Sequence, residues 1–191
     1  MRRIVVSEFV SLDGVMEDPG GAEGYEHGGW TMPYWNDDLG RFKAEELFAS
    51  DALLLGRVTY QAFAAAWPAM TDEMGFADRM NSNHKYVVSS TLKTTDEWKN
   101  SSLIKGDLVE EVTKLKQEAG QDILVGGSAT LVQALMRHHL VDELRLAVYP
   151  LVLGTGKCLW GDGGHTPLEL VHQQSSSTGV ILLSYRRAEP S

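Results

Sequence analysis

A chain of 191 residues is long enough for one domain that buries about 70% of its unfolded-chain surface. Hydrophobic residues make up 43% and charged residues 23%, a globular composition and not a disordered one. The formal charge of −9 repels phosphate backbones, so nucleic acid is not an expected partner, and any anion site must be built locally from a few cations and backbone amides.

Residues 4–10 read as a first strand. Ser7 and Glu8 break its apolar run, so with Met1-Arg2-Arg3 it does not form a secretory core. The strand ends in Ser11-Leu12-Asp13-Gly14, residues that tolerate unusual turn angles. The stretch 19–34 is rich in glycine and aromatics, fits neither periodicity, and reads as a long loop of the kind that carries function. A helix follows over 36–49, with Leu39, Phe42 and Leu47 on one face. Residues 52–55 form a short buried strand, and Gly56-Arg57-Val58-Thr59 turns the chain into a helix ending near Trp67-Pro68. Runs such as 52–55 and 180–183 are the longest apolar ones, far below the roughly 18–20 residues of a membrane span.

Residues 85–88 form another strand, closed by the hydroxyls of Ser89, Ser90 and Thr91. Asp107 and Glu110 have capping-box spacing, and Leu108, Val112, Leu115 and Ala119 continue at helical intervals. A strand at 122–125 leads into Gly126-Gly127, with Ser128 as the expected N-cap of a helix through Met136. Cys158 has no disulfide partner and reads as an incidental buried thiol, which fits a reducing cytoplasm. Residues 144–148, 168–174 and 180–186 are strands without intervening helices, expected as antiparallel additions at one sheet edge. Together these elements predict a single α/β domain over 1–191, with a mixed, mainly parallel sheet and about four flanking helices.

In such sheets ligands bind outside the carboxyl ends of the parallel strands. Gly126-Gly127-Ser128 lets a ligand approach the backbone and offers free helix N–H groups to an anion, although a tight turn with a cap explains the same residues. Gly56-Arg57-Val58-Thr59 adds a guanidinium and a hydroxyl at an equivalent place, and Ser89–Thr91 adds three hydroxyls. The first strand lacks a G-x-G-x-x-G turn, which disfavours a Rossmann dehydrogenase, and no Walker A loop is present. The six histidines show no metal-ligand spacing with Cys or carboxylates, so no metal is expected.

The order Ser11-Leu12-Asp13-Gly14, Asp38-Leu39-Gly40-Arg41-Phe42-Lys43, Gly56-Arg57-Val58-Thr59-Tyr60, Lys85 to Thr91 and Gly126-Gly127 resembles the dihydrofolate reductase superfamily. Leu140-Val141-Asp142-Glu143-Leu144 and Tyr149-Pro150-Leu151-Val152-Leu153-Gly154 favour the riboflavin-biosynthesis reductase branch and its stand-alone bacterial relatives. The resemblance implies an eight-stranded, mainly parallel sheet and NADPH as cofactor. Its phosphates would meet Gly56, Arg57, Thr59, Ser89, Ser90, Thr91 and the Gly126-Gly127-Ser128 turn, which in relatives commonly holds a cis peptide. Asp13 joins that set, with loop organisation as its competing role.

Asp38 matches the acidic residue that binds the substrate ring and is the candidate catalytic residue, although an Asp at a helix start is favoured by the dipole anyway. Trp30 and Trp35 fall where a loop covers the nicotinamide; they are candidate substrate-stacking residues or core under the loop. The implied substrate is a small heterocycle, first of all 5-amino-6-(5-phosphoribosylamino)uracil. Its phosphate needs a further cationic site, for which Arg41, Lys43 and Arg79 are candidates. Reduction of another small molecule such as dihydrofolate, or NADPH binding without catalysis, are the alternatives. Relatives suggest a homodimer. Zinc-dependent deamination is excluded, because H-x-E and P-C-x-x-C are absent.

Overall fold

Residues 1–161 and 164–188 are described by the structure, a computed structural model. One eight-stranded sheet runs through the molecule in the order β4-β3-β2-β5-β1-β6-β8-β7. Near its centre lies β1 (Ile4–Ser11), almost wholly buried because helices cover both faces of a parallel strand. On one side of β1 come β5 (Asp122–Gly126), β2 (Ser50–Gly56), β3 (His84–Val88) and β4 (Ser101–Ile104), all parallel. On the other side β6 (Glu143–Tyr149) is also parallel to β1. Only β8 (Ile181–Arg187) and then β7 (Leu168–Ser175) pair antiparallel, which accounts for the mixed sheet that the sequence predicts.

Two helical layers bury the sheet. On one face lie α1 (Asp37–Phe48), α2 (Arg57–Ala66) and α3 (Phe76–Ser82), where Leu47, Tyr60 and Met80 join Val5, Leu53 and Leu55. On the other lie α4 (Leu108–Gln117) and α5 (Ala129–Arg137), where Val112, Leu115, Val132 and Leu135 join Ile4, Val6 and Ile123. Each such fully buried aliphatic side chain contributes about 1.5–3 kcal/mol. Because side chains alternate along a strand, Ser7 and Phe9 of β1 share the α1 face with Val5, and Glu8 shares the α5 face with Val6. A third apolar cluster joins Trp30 and Leu39 to Tyr149, Val180 and Leu182.

Four sequence expectations change. Residues 144–148 are parallel rather than antiparallel, because α5 supplies the crossover that returns the chain to the edge of β1. There are five α-helices among the described residues, not about four: α3 has only seven residues and is organised by Asp72, whose carboxylate accepts the N–H groups of Met74, Phe76 and Ala77. β4 was not anticipated, since two serines open it. Cys158 is exposed, not buried. No helix among the described residues is long and apolar enough to cross a membrane.

The strand ends create a notch. β5 stops at Gly126 opposite Ser7, whereas β1 continues to Ser11 against β6. Past Ser7, therefore, β1 has no strand on its β5 side. The chain leaves β1 for β2 on one side and reaches β6 on the other, so the notch lies where the winding of the sheet reverses, the usual place for a ligand crevice.

Candidate active site

Two helices start at the rim of this notch, and neither is capped. Neither α2, starting after Gly56, nor α5, starting after Ser128, has a side-chain cap hydrogen bond. By contrast, Asn36 caps α1 through the Leu39 N–H and Asp107 caps α4 through the Glu110 N–H. Open first-turn amides and the positive end of the helix dipole favour an anion at each uncapped end.

The two turns form one hydrogen-bonded unit. Ser128 has φ 65°, and its Oγ accepts the Gly56 N–H at 2.9 Å and donates to Thr59 Oγ1 at 2.8 Å. Ser128 occupies the N-cap position of α5 as the sequence suggested, but its side chain makes no capping bond; its hydroxyl instead ties the ends of β2 and β5 together. Gly127 has φ 64°, and a Cβ there would lie 2.9 Å from Thr59 Oγ1. The close approach to Thr59 and the positive φ together favour glycine at this position. No cis peptide bond occurs among the described residues, so the cis bond that the resemblance implies between the glycines is not present.

Beyond these turns a cavity of about 470 Å³ opens at the ends of β3 and β4. It is lined by Arg57, Ser89, Ser90, Thr91, Lys105 and Gly106, among others. Arg57 is exposed, and its guanidinium is held by Gln61 Oε1 at 3.1 Å. Ser89 is buried, and its Oγ accepts the N–H groups of Thr91 and Leu92; it shapes the loop, leaving the exposed Ser90 and Thr91 to meet a ligand. Lys105 escaped the sequence reading because the strand that places it, β4, was not recognised.

A charged cluster also escaped it. The Lys43 ammonium donates to Ser7 Oγ at 2.6 Å and pairs with Glu46 Oε2 at 2.7 Å, while Ser7 Oγ donates to the same carboxylate. On the other face of β1, Glu8 Oε2 accepts the Gly127 N–H at 3.0 Å. Burial pushes the Glu8 carboxyl well above the usual carboxylate range; the Lys43 charge and the Gly127 N–H pull it partly back, and Glu46 pushes it further up. The signal was present in the sequence: a central parallel strand interrupted by Ser7-Glu8, and charges at 43 and 46 on the stripe of Leu39, Phe42 and Leu47.

Other candidates take different places. Both oxygens of Asp13 are engaged, by the Ser11 hydroxyl and by the Leu153 and Gly154 N–H groups, and these bonds hold its carboxyl down at about 2. These bonds give Asp13 the role of loop organiser. Trp30 is buried, donates its indole N–H to Glu17 O, and stands edge-on to Tyr149, so it belongs to the core rather than to a substrate surface. Trp35 is 47% exposed and meets Phe9 edge-on. Asp38, half-buried in the first turn of α1, accepts the Ser177 N–H at 3.4 Å. Arg79 is spent on Ser50 O and Gln121, and Lys43 is held by Ser7 and Glu46 with one N–H left over, whereas Arg41 has no side-chain partner among the described residues. Nor does any group of three or more His, Cys, Asp or Glu among these residues form a metal site.

Known proteins share this architecture. The RibD C-terminal domain family matches residues 2–182. The uncharacterized protein YyaP of Bacillus subtilis (strain 168) is 32% identical over 188 residues, covering 96% of this chain and 94% of its own. A structure from Shewanella sp. PV-4, whose name ascribes it to riboflavin biosynthesis, aligns with TM-score 0.79 at 19% identity, covering 98% of this chain and 99% of its own. Dihydrofolate reductase of Enterococcus faecalis, solved with NADP(H), aligns with TM-score 0.64 at 14% identity, over 98% and 97%. At those identities the two structures establish the fold, and the sequence matches establish the family: the chain belongs to the RibD C-terminal domain family.

Proposed function

We propose that the protein is an NADPH-dependent reductase of a small heterocyclic substrate, with 5-amino-6-(5-phosphoribosylamino)uracil as the first candidate. The observation that carries this reading is the cavity lined by Arg57, Lys105, Ser90 and Thr91, set beside the joined Gly56 and Gly126-Gly127 turns. Two cations and exposed hydroxyls suit a terminal phosphate, and two uncapped helix starts suit the pyrophosphate between it and the notch. Thr59 Oγ1 accepts from Ser128, so its own proton is available to donate. These residues fit a phosphorylated dinucleotide.

The cofactor, when bound, supplies the hydride. The chain's own groups do the rest. Arg57 and Lys105 set the preference for the extra phosphate of NADPH, and the rigid Gly127 turn fixes the depth of approach. Asp38 stands at the start of α1 as the candidate contact for substrate N–H groups.

Absorbance of NADPH, followed with the phosphoribosyl substrate, its dephosphorylated form and dihydrofolate in turn, tests the reading. It predicts oxidation with one of the three. NADPH binding without oxidation by any of them would favour a cofactor-binding protein without turnover, and absence of NADPH binding would remove the reading altogether.

A further inference from the structure

The Lys43 cluster has features that packing alone does not explain. Its three members sit where an apolar core would be expected, Ser7 in a central strand and Lys43 and Glu46 on the sheet-facing stripe of α1, and Glu8 is buried on the opposite face of the same strand. Burying an ion pair usually stabilises no more than apolar residues of the same volume would. The cluster is also incomplete. Glu46 Oε1 and Glu8 Oε1 are both buried and have no hydrogen-bond partner among the described residues. Such under-satisfied buried oxygens are rare in native proteins and call for an explanation.

Lys43 is the member that faces outward. The side chain of Glu46 is fully buried, whereas that of Lys43 is 17% exposed. An ammonium has three N–H donors, and two are committed, to Ser7 Oγ and Glu46 Oε2. The third has no acceptor among the described residues. The same ammonium stands 5.1 Å from the centre of the Phe9 ring, and Phe9 in turn meets the exposed Trp35 edge-on. The cation thus lies against an aromatic wall, one residue along β1 from where the notch begins.

We propose that Lys43 is a specificity-determining residue of the substrate site. Its free N–H binds an acceptor oxygen of a planar, electron-rich ring seated against Phe9, with Ser7 and Glu46 as the positioning residues that aim it. This gives the proposed reductase a recognition residue for a ring oxygen of its substrate, and it rests on that reading. Glu46 fixes the ammonium from the side away from solvent, so the ligand meets a directed donor rather than a mobile lysine.

Barbiturate, a planar anion with its charge on ring oxygens, is a suitable probe. It is titrated calorimetrically into wild type, Lys43→Gln and Lys43→Arg, with and without saturating NADP+. Loss of a charge-assisted contact predicts at least ~10-fold weaker binding to Lys43→Gln, and Arg should retain affinity within about threefold. In the wild-type protein, which avoids any folding defect of the variants, barbiturate should slow acetylation of Lys43 by acetic anhydride and leave the exposed Lys99 unaffected. No barbiturate binding to wild type, equal binding to Lys43→Gln, or unchanged acetylation would overturn the proposal. Failure of NADP+ to bind is read separately in the same titrations and would strike the reductase reading instead.

Discussion

Lys85 shows how far a single residue can depart from its surface role. It is fully buried in β3, donates to Asn81 O and Asn83 O at the end of α3, and stands 4.3 Å from the Trp98 ring centre. It closes the open carbonyl end of a short helix from the neighbouring strand. Burial pushes its ammonium down from the ordinary value near 10.5 to about 8. A lowered lysine value means the unfolded chain binds the proton more tightly, so the charged form costs stability below pH 8. That cost is relieved as pH rises from about 8 to 10.5. Denaturant melts of wild type should therefore gain about 1–3 kcal/mol over this window relative to Lys85→Met, whose stability lacks this dependence. An equal pH slope in both proteins would contradict the account. In the sequence Lys85 looked like the polar entrance to a strand, because nothing local reveals the helix end it closes.

At the scale of elements, the most informative link is Ser128, which joins the starts of α2 and α5 through Gly56 N and Thr59 Oγ1. Removing its hydroxyl separates two turns that the proposed cofactor needs in fixed register. Ser128→Ala also leaves a Cβ at φ 65°, whereas Ser128→Gly relieves it. Ser128→Ala should cost about 1–2 kcal/mol in denaturant melts and Ser128→Gly less, with both weakening NADPH several-fold in titration. Unchanged NADPH affinity in both would show that the bridge does not shape the site. Regular elements were legible where period and capping agreed. The helix expected after Asp107 coincides with α4, and the first strand with β1. What stayed hidden depends on tertiary context: α3 on its Asp72 cap, β4 on pairing with β3, and the role of Ser128 on a residue 72 positions away. Lys43 and Glu46 were legible in principle, since helical spacing alone places them with Leu39 and Phe42.

For the whole molecule, the central tension is between a net charge of −9 and the highly anionic ligand proposed for it. The fold resolves it by concentrating Arg57, Lys105 and two helix starts at the carboxyl edge of one sheet, within a Debye length or so of the ligand, where the diffuse negative surface is largely screened. The wide aromatic cluster around Tyr149 and the Asp13 clamp on Leu153 and Gly154 secure the other end of that edge. Cofactor choice then rests on few groups. Calorimetric titration of NADPH and NADH into wild type and Arg57→Ala measures it directly. The account predicts that wild type prefers NADPH, and that Arg57→Ala loses NADPH affinity by roughly 10–150-fold and NADH affinity much less. Equal losses for both cofactors, or no NADPH binding by the wild-type protein, would contradict it.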